Sequence, residues 1–214
     1  AKPMWMIFND AKSCYDRIVH SVAILCMAFQ KMPYAALYVA FSTLQKAVHH
    51  VRSAYGVSKR SYGGKHRGPS QIPLHGIGQG NGAGPAIWAV ISTILLNILV
   101  EDNLAATFTS AISQTLLTIA AWCWVDDCDL LGTAVKPWER GEDCLDRAQQ
   151  QMDHWEGLLT ATGGGIVWEK SFWVLVDYVW TGSRWRYRTQ EDMPGTIYVN
   201  DCVSGQRKPL QRHE

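Results

Sequence analysis

The stretch AWCWVDDCDLL, residues 121–131, sets two acids, Asp126 and Asp127, between two apolar runs. A carboxylate taken out of water costs several kcal/mol unless it is paired or bound to a cation. The flanking runs TIAAWCWV and CDLLG read as two strands joined by a two-residue turn, which puts both acids at the tip of a β-hairpin. Asp-Asp is a poor turn pair, since neither residue favours positive φ as Gly does. The hairpin therefore asks for another reason for the acids.

The first such reason lies far upstream. MWMIFND (4–10) is a short apolar run that ends in Asp10 and reads as a buried strand. If it lies beside the hairpin, three carboxylates converge. Like charges that close raise one another's pKa unless something positive sits between them. Hard divalent cations take oxygen ligands, and a pair of them can hold the attacking and leaving oxygens of a phosphoryl transfer. Taken singly, Asp126 and Asp127 read as turn residues and Asp10 as a helix-entry cap.

The remaining chain supplies a mixed pattern. Residues 16–31 and 34–50 read as helices, with Ser13 or Asp16 as a cap and Pro33 as the break. Residues 51–75, rich in Gly, Ser and basic side chains, read as a hairpin or mobile loop. An apolar helix follows GIGQGNGAGP (76–85) and runs to about residue 103. A long helix is expected over 138–161, with Leu145, Ala148, Met152, Trp155 and Leu158 or Leu159 on one face and GGG (163–165) as its stop. FWVLVDYVW, RWRYR and GTIYVND read as three further strands. Strands and helices do not alternate regularly, so the expected class is α+β with a mainly antiparallel sheet.

Bulk properties narrow the choice less. The chain has 214 residues, 47% of them hydrophobic, and a net charge of +1, which excludes a disordered chain and gives no global argument for nucleic acid. Six scattered cysteines form no C-x-x-C pair, so they are read as reduced and the compartment as intracellular. PAIWAVISTILLNILV (85–100) is shorter than a bilayer span and carries Ser, Thr and Asn, so a buried core helix and no membrane partner are expected. The apolar start and the charged tail QRKPLQRHE suggest a piece excised from a longer polyprotein.

Four stretches in order resemble the reverse transcriptases. NDAKSCYDRI (9–18) resembles their A motif, QGNGAGP (79–85) the B motif Gln-Gly-x-x-x-Ser-Pro, WVDD (124–127) the C motif Tyr-x-Asp-Asp, and GGGIVWEKS (163–171) the D motif. Retrotransposon-type polymerases look most similar. The resemblance implies a polymerase palm over residues 1–181, an antiparallel sheet with helices packed on one face. It further implies a partial fingers insertion near 51–75 and a strand-rich extension over 182–214, with no thumb. The implied activity is RNA-directed addition of dNTPs to a primer 3′ hydroxyl, on an RNA or DNA template, with two Mg²⁺ ions that Mn²⁺ can replace.

By the same resemblance Asp10, Asp126 and Asp127 are catalytic metal ligands, joined by the Ala11 carbonyl. Tyr15 would crowd the sugar 2′ position and select deoxynucleotides. Gln79 and Gly80 would meet the incoming nucleotide, and Lys170 would protonate the departing pyrophosphate or neutralise its charge. Lys59, Arg60, Lys65 and Arg67, with Trp124 near the primer end, would contact nucleic acid. Arg184, Arg186 and Arg188 with Trp185 and Tyr187 form a second basic and aromatic patch. Trp124 departs from the usual Tyr, Gly84 from the usual Ser, and Glu169 precedes Lys170. The upstream fingers, the thumb and the primer-gripping E motif are not recognisable, so partner segments of a longer polyprotein are expected to supply them. Two alternatives stand beside this reading. One is an inactive retroelement remnant that at most binds nucleic acid. The other is a nicotinamide enzyme suggested by GQGNGA (78–83), disfavoured because no clear strand precedes it and no βαβ alternation follows.

Overall fold

Strand β1 (Met4–Asn9) organises the sheet, because it is paired on both sides. In this computed structural model the described residues are 2–64, 75–78, 80–124, 126–136 and 138–214. Contacts divide the chain into two compact units, Ala1–Cys14 with Ser92–Glu214, and Tyr15–Ile91. After β1 come the one-turn helix α1 (Cys14–Arg17), helices α2 (His20–Phe29) and α3 (Tyr34–Lys46), and the hairpin β2 (Val48–Ser53) and β3 (Gly56–Gly63). Helix α4 (Gly84–Glu101) leads to β4 (Ala106–Thr109), β5 (Leu116–Ile119), β6 (Ala121–Trp124) and β7 (Asp127–Thr133). Helix α5 (Gly141–Ala161) is followed by β8 (Phe172–Val176), β9 (Tyr178–Trp180), β10 (Trp185–Tyr187), β11 (Tyr198–Asn200), β12 (Arg207–Pro209) and β13 (Gln211–His213).

The class is α+β, as the irregular element order implies. The main sheet has the order β13-β8-β1-β7-β6 and is antiparallel except where β13 runs parallel to β8. β1 alternates strictly: Trp5, Ile7 and Asn9 are buried while Met4, Met6 and Phe8 are half-buried. The buried side faces α5, which lies against β1 and β7 and presents Cys144, Ala148, Gln151, Met152, Trp155 and Leu159. On the other side Phe8 stacks on Phe172 with ring centres 4.5 Å apart, and Phe172 on His213 at 4.4 Å.

Two of the buried polar side chains, Gln151 and Asn9, lie between β1 and α5 and both are satisfied. Gln151 accepts from Trp5 Nε1 at 2.7 Å and donates through Nε2 to the carbonyls of Leu104 at 2.6 Å and Leu131 at 2.9 Å. Asn9 accepts from Trp155 Nε1 at 3.0 Å and donates to the Cys128 carbonyl. Gly132 pairs with Trp5 across β1 and β7, and a Cβ added there would sit 2.1 Å from the Trp5 ring. Since Trp5 is fully buried, the ring has no room to retreat. Gly132→Ala is expected to cost about 1–3 kcal/mol through overpacking, seen as a lower urea midpoint at unchanged m-value.

Several boundaries differ from the sequence reading. The helix expected over 16–31 is two, because Val19 takes an extended conformation, φ −73° and ψ 116°, between α1 and α2. The helix expected to reach residue 50 stops at Lys46, and its last residues belong to β2. The long helix begins at Gly141 rather than 138, and its buried face carries Gly141 and Cys144 rather than Leu145. FWVLVDYVW is broken at Asp177 into β8 and β9. Among the described residues α4, with 18 residues, is long and apolar enough to cross a membrane by length and composition. Its buried residues Ile87, Trp88, Ile91, Leu95 and Leu99 recur along one face, the pattern of a core helix.

Candidate active site

β1 and β7 pair with Asn9 opposite Cys128. The ladder ends at that pair, and the next residues along the two segments are Asp10 and Asp127. The Asp10 carboxylate acts on the Asp127 carboxyl, so the first acid and the adjacent pair share one end of the sheet. The hairpin itself differs by one residue from expectation. Trp124 pairs with Asp127, so Asp127 opens the return strand and Asp126 alone of the two lies in the turn.

A second set of contacts brings Lys170 to the same place. The Asp10 N–H donates to Ser171 Oγ at 3.3 Å, and Ser171 Oγ donates to the Val167 carbonyl at 2.8 Å. The Val167 N–H donates to the Asp10 carbonyl at 2.9 Å, the Lys12 N–H to Gly165 at 2.9 Å, and Ala11 bridges Ile166. Residues 10–12 are thereby stitched to 165–167. That segment starts where α5 ends in a Schellman turn: Gly164 N–H reaches the Leu159 carbonyl at 2.9 Å, Gly163 N–H reaches Thr160 at 2.9 Å, and Gly163 has φ +92°. The following 3-10 turn, Trp168–Lys170, carries the lysine back over β1. Lys170 Nζ lies 3.1 Å from Asp10 Oδ2, the lysine exposed and the aspartate half-buried.

The charges feel one another. Burial first, then the Asp126 and Asp10 carboxylates, push the Asp127 carboxyl above its ordinary range, and Lys170 opposes them. Burial first, then the Asp126 carboxylate, push the Cys14 thiol up to about 12. Asp129 is raised by burial and then by Asp127. A raised carboxyl contributes stability that is complete below its unfolded pKa and is lost as pH rises through the folded one. Asp127→Asn is therefore expected to melt slightly above the parent at neutral pH, with the difference vanishing in acid. Thermal scans at pH 3 and pH 7 would check this.

The donor set suits a hard cation: carboxylate oxygens in mutual repulsion, beside a carbonyl-bearing turn. Among the described residues no group of three or more His, Cys, Asp or Glu is already closed around one point. Asp10 instead has the Lys170 ammonium as its positive partner.

The other expected site residues are distributed as follows. Ala11 is buried in its bridge to Ile166. Trp124 is exposed at the hairpin end. Tyr15 is buried in the second unit, where its carbonyl accepts from the Ile77 N–H at 2.7 Å. A Cβ on Gly84 would touch the Tyr15 ring at 3.4 Å. Gly80 is exposed with φ +87°. Lys59 and Arg60 lie exposed on β3. Gln79, Lys65 and Arg67 lie outside the described residues. The second basic patch is partly committed: Arg186 pairs with Asp192, and Arg188 Nε lies 3.0 Å from Asp177 Oδ2.

Three supporting residues escaped the sequence reading. Asn9 anchors the end of β1 to Trp155 and Cys128, and a polar residue at a buried position of an alternating strand was the available signal. Ser171 links Asp10 to Val167, a contact across 161 residues that no local pattern reveals. Asn81 shapes the glycine loop before α4, accepting from the Ala83 N–H at 3.0 Å and donating to the Ile77 carbonyl at 3.1 Å.

No family model matches the sequence, and no curated protein matches it. Among solved structures, 97% of the chain aligns with 30% of a telomerase from Candida tropicalis in complex with a TWJ fragment of telomeric RNA, at TM-score 0.52 and 14% identity. An apo telomerase of the same organism, truncated from its C-terminal domain, aligns over 98% of this chain and 36% of its own, at TM-score 0.43 and 14% identity. The chain thus spans about a third of these proteins. The first alignment shows that the fold is shared with part of that telomerase.

Proposed function

We propose that this chain is the palm of an RNA-directed DNA polymerase of retrotransposon type, joining dNTPs to a primer 3′ hydroxyl by nucleotidyl transfer. The observation that carries the proposal is the shared sheet end, where Asp10 meets Asp126 and Asp127 under the electrostatic influence of Lys170. Asp126 and Asp10 both push the Asp127 carboxyl up, a costly arrangement with an evident use in binding positive charge. Asp10, Asp126, Asp127 and the Ala11 carbonyl would hold Mg²⁺ or Mn²⁺, which supplies charge neutralisation at the transferring phosphate. The chain's own groups would do the rest. Lys170 holds a proton at Nζ for the departing pyrophosphate. By the resemblance alone, Tyr15 would exclude a ribose 2′ hydroxyl, Gln79 and Gly80 would meet the nucleotide, and Lys59, Arg60, Lys65, Arg67 and Trp124 would contact template and primer. Fingers and thumb would come from further segments of a longer polyprotein, in an intracellular setting.

A second reading is favoured by one observation, the ion pair of Asp10 with Lys170. In it the chain is an inactive remnant that at most binds nucleic acid. Primer extension on an RNA template with dNTPs and Mg²⁺ separates the two. Product that depends on Asp126 supports the polymerase, whereas RNA binding without any extension supports the remnant.

A further inference from the structure

Two cysteines flank the paired acids on the same hairpin. Cys123 on β6 stands directly opposite Cys128 on β7, and their sulfurs lie 2.7 Å apart. The ladder fixes what kind of pair this is. The Leu131 N–H donates to the Ala120 carbonyl at 2.8 Å, which makes residues 120 and 131 a hydrogen-bonded pair. Hydrogen-bonded and non-hydrogen-bonded pairs alternate along an antiparallel ladder. Counting along the register, 122 with 129 and 124 with 127 are hydrogen-bonded, and 123 with 128 is not. Non-hydrogen-bonded pairs bring Cα atoms to about 4.5 Å with side chains closer, within the roughly 4.4–6.8 Å span of natural disulfides. Cys123 is exposed and Cys128 buried, so one sulfur can meet a reagent while the other waits behind it.

We propose that Cys123 and Cys128 are a reversible disulfide site that, when oxidised by a hydroperoxide, ties β6 to β7 across the turn holding Asp126. The chemistry balances in two steps. The Cys123 thiol gives its proton to water, and its sulfur attacks one peroxide oxygen. The O–O bond breaks and the released hydroxide takes up a proton to become water, leaving a sulfenic acid on Cys123. The Cys128 sulfur then attacks the Cys123 sulfur, forming S–S and breaking S–O, and the hydroxyl departs with the Cys128 proton as a second water. Two thiols and one H₂O₂ become one disulfide and two waters. A dithiol reverses the reaction by exchange. The modification depends on the hairpin register alone and stands whether or not the chain polymerises nucleotides.

The test treats the full chain with one equivalent of hydrogen peroxide and counts thiols under denaturing conditions, with peptide mapping by mass spectrometry. Two of the six thiols are expected to disappear, with a loss of two hydrogens on the fragment holding residues 123 and 128, and dithiothreitol should restore both. Cys123→Ser, at an exposed position, should retain its five remaining thiols under the same dose, and Cys128→Ala should form no intramolecular link. The proposal is overturned if all six thiols survive, if the link uses Cys14 or another cysteine, or if Cys123 advances to sulfinic acid with no link.

Discussion

Asp126→Asn is expected to lower template-directed primer extension by about 10²–10³-fold, or about 3–4 kcal/mol of transition-state stabilisation. The side chain keeps its size and loses only its charge, so the loss would report the electrostatic part of the site. Asp126 sits in the turn and contributes to the raised pKa of Asp127 and of Cys14, so its removal relieves repulsion in the folded state. The variant should therefore fold at least as well as the parent, which thermal melting would verify. An Asp126→Asn chain that extends primers at the parental rate would end the polymerase proposal.

The second large effect concerns the core. Gln151→Ala is expected to destabilise the fold by about 3–4 kcal/mol. Its amide is the common partner of the Trp5 indole and of the Leu104 and Leu131 carbonyls. Truncation leaves three buried polar groups short of a partner and opens a void beside Trp5. Urea unfolding of parent and variant would measure it. A change below 1 kcal/mol would mean that water enters and replaces the amide. Because Trp5 and Leu131 belong to the strands that bear the acids, the same variant should also impair extension.

The elements near the acids were legible because burial writes itself into the sequence there. β1 is an apolar run ended by an acid, and the hairpin is two such runs around a polar tip. The turn was misplaced by one residue for a physical reason. Asp127 is exposed on the first position of β7, and a strand's solvent face accepts charge without ending the strand. Patterning also hid Gln151, because a polar residue on a helix reads as solvent-facing unless its partners are known. The C-terminal strands were less legible still. β12 and β13 are the polar triplets RKP and QRH, and β13 enters the main sheet as an edge. Its Arg212 is buried, donating to the Met193 carbonyl at 3.1 Å and the Arg188 carbonyl at 3.0 Å and lying over the Trp173 ring. The candidate site followed the same rule: acids and lysine were visible as a spaced pattern, while Asn9 and Ser171, which orient them, act through long-range contacts.

β1 stands in the middle of the five-strand order and β6 at its end. Backbone amides of the middle strand can exchange with solvent deuterium only when both neighbours let go, whereas those of the end strand need a single partner to fray. Residue 10 is thus mounted on a slow post and residue 126 on a faster arm. A ligand that settles between them would reveal itself first as slowed deuteration along the hairpin, with the post almost unchanged.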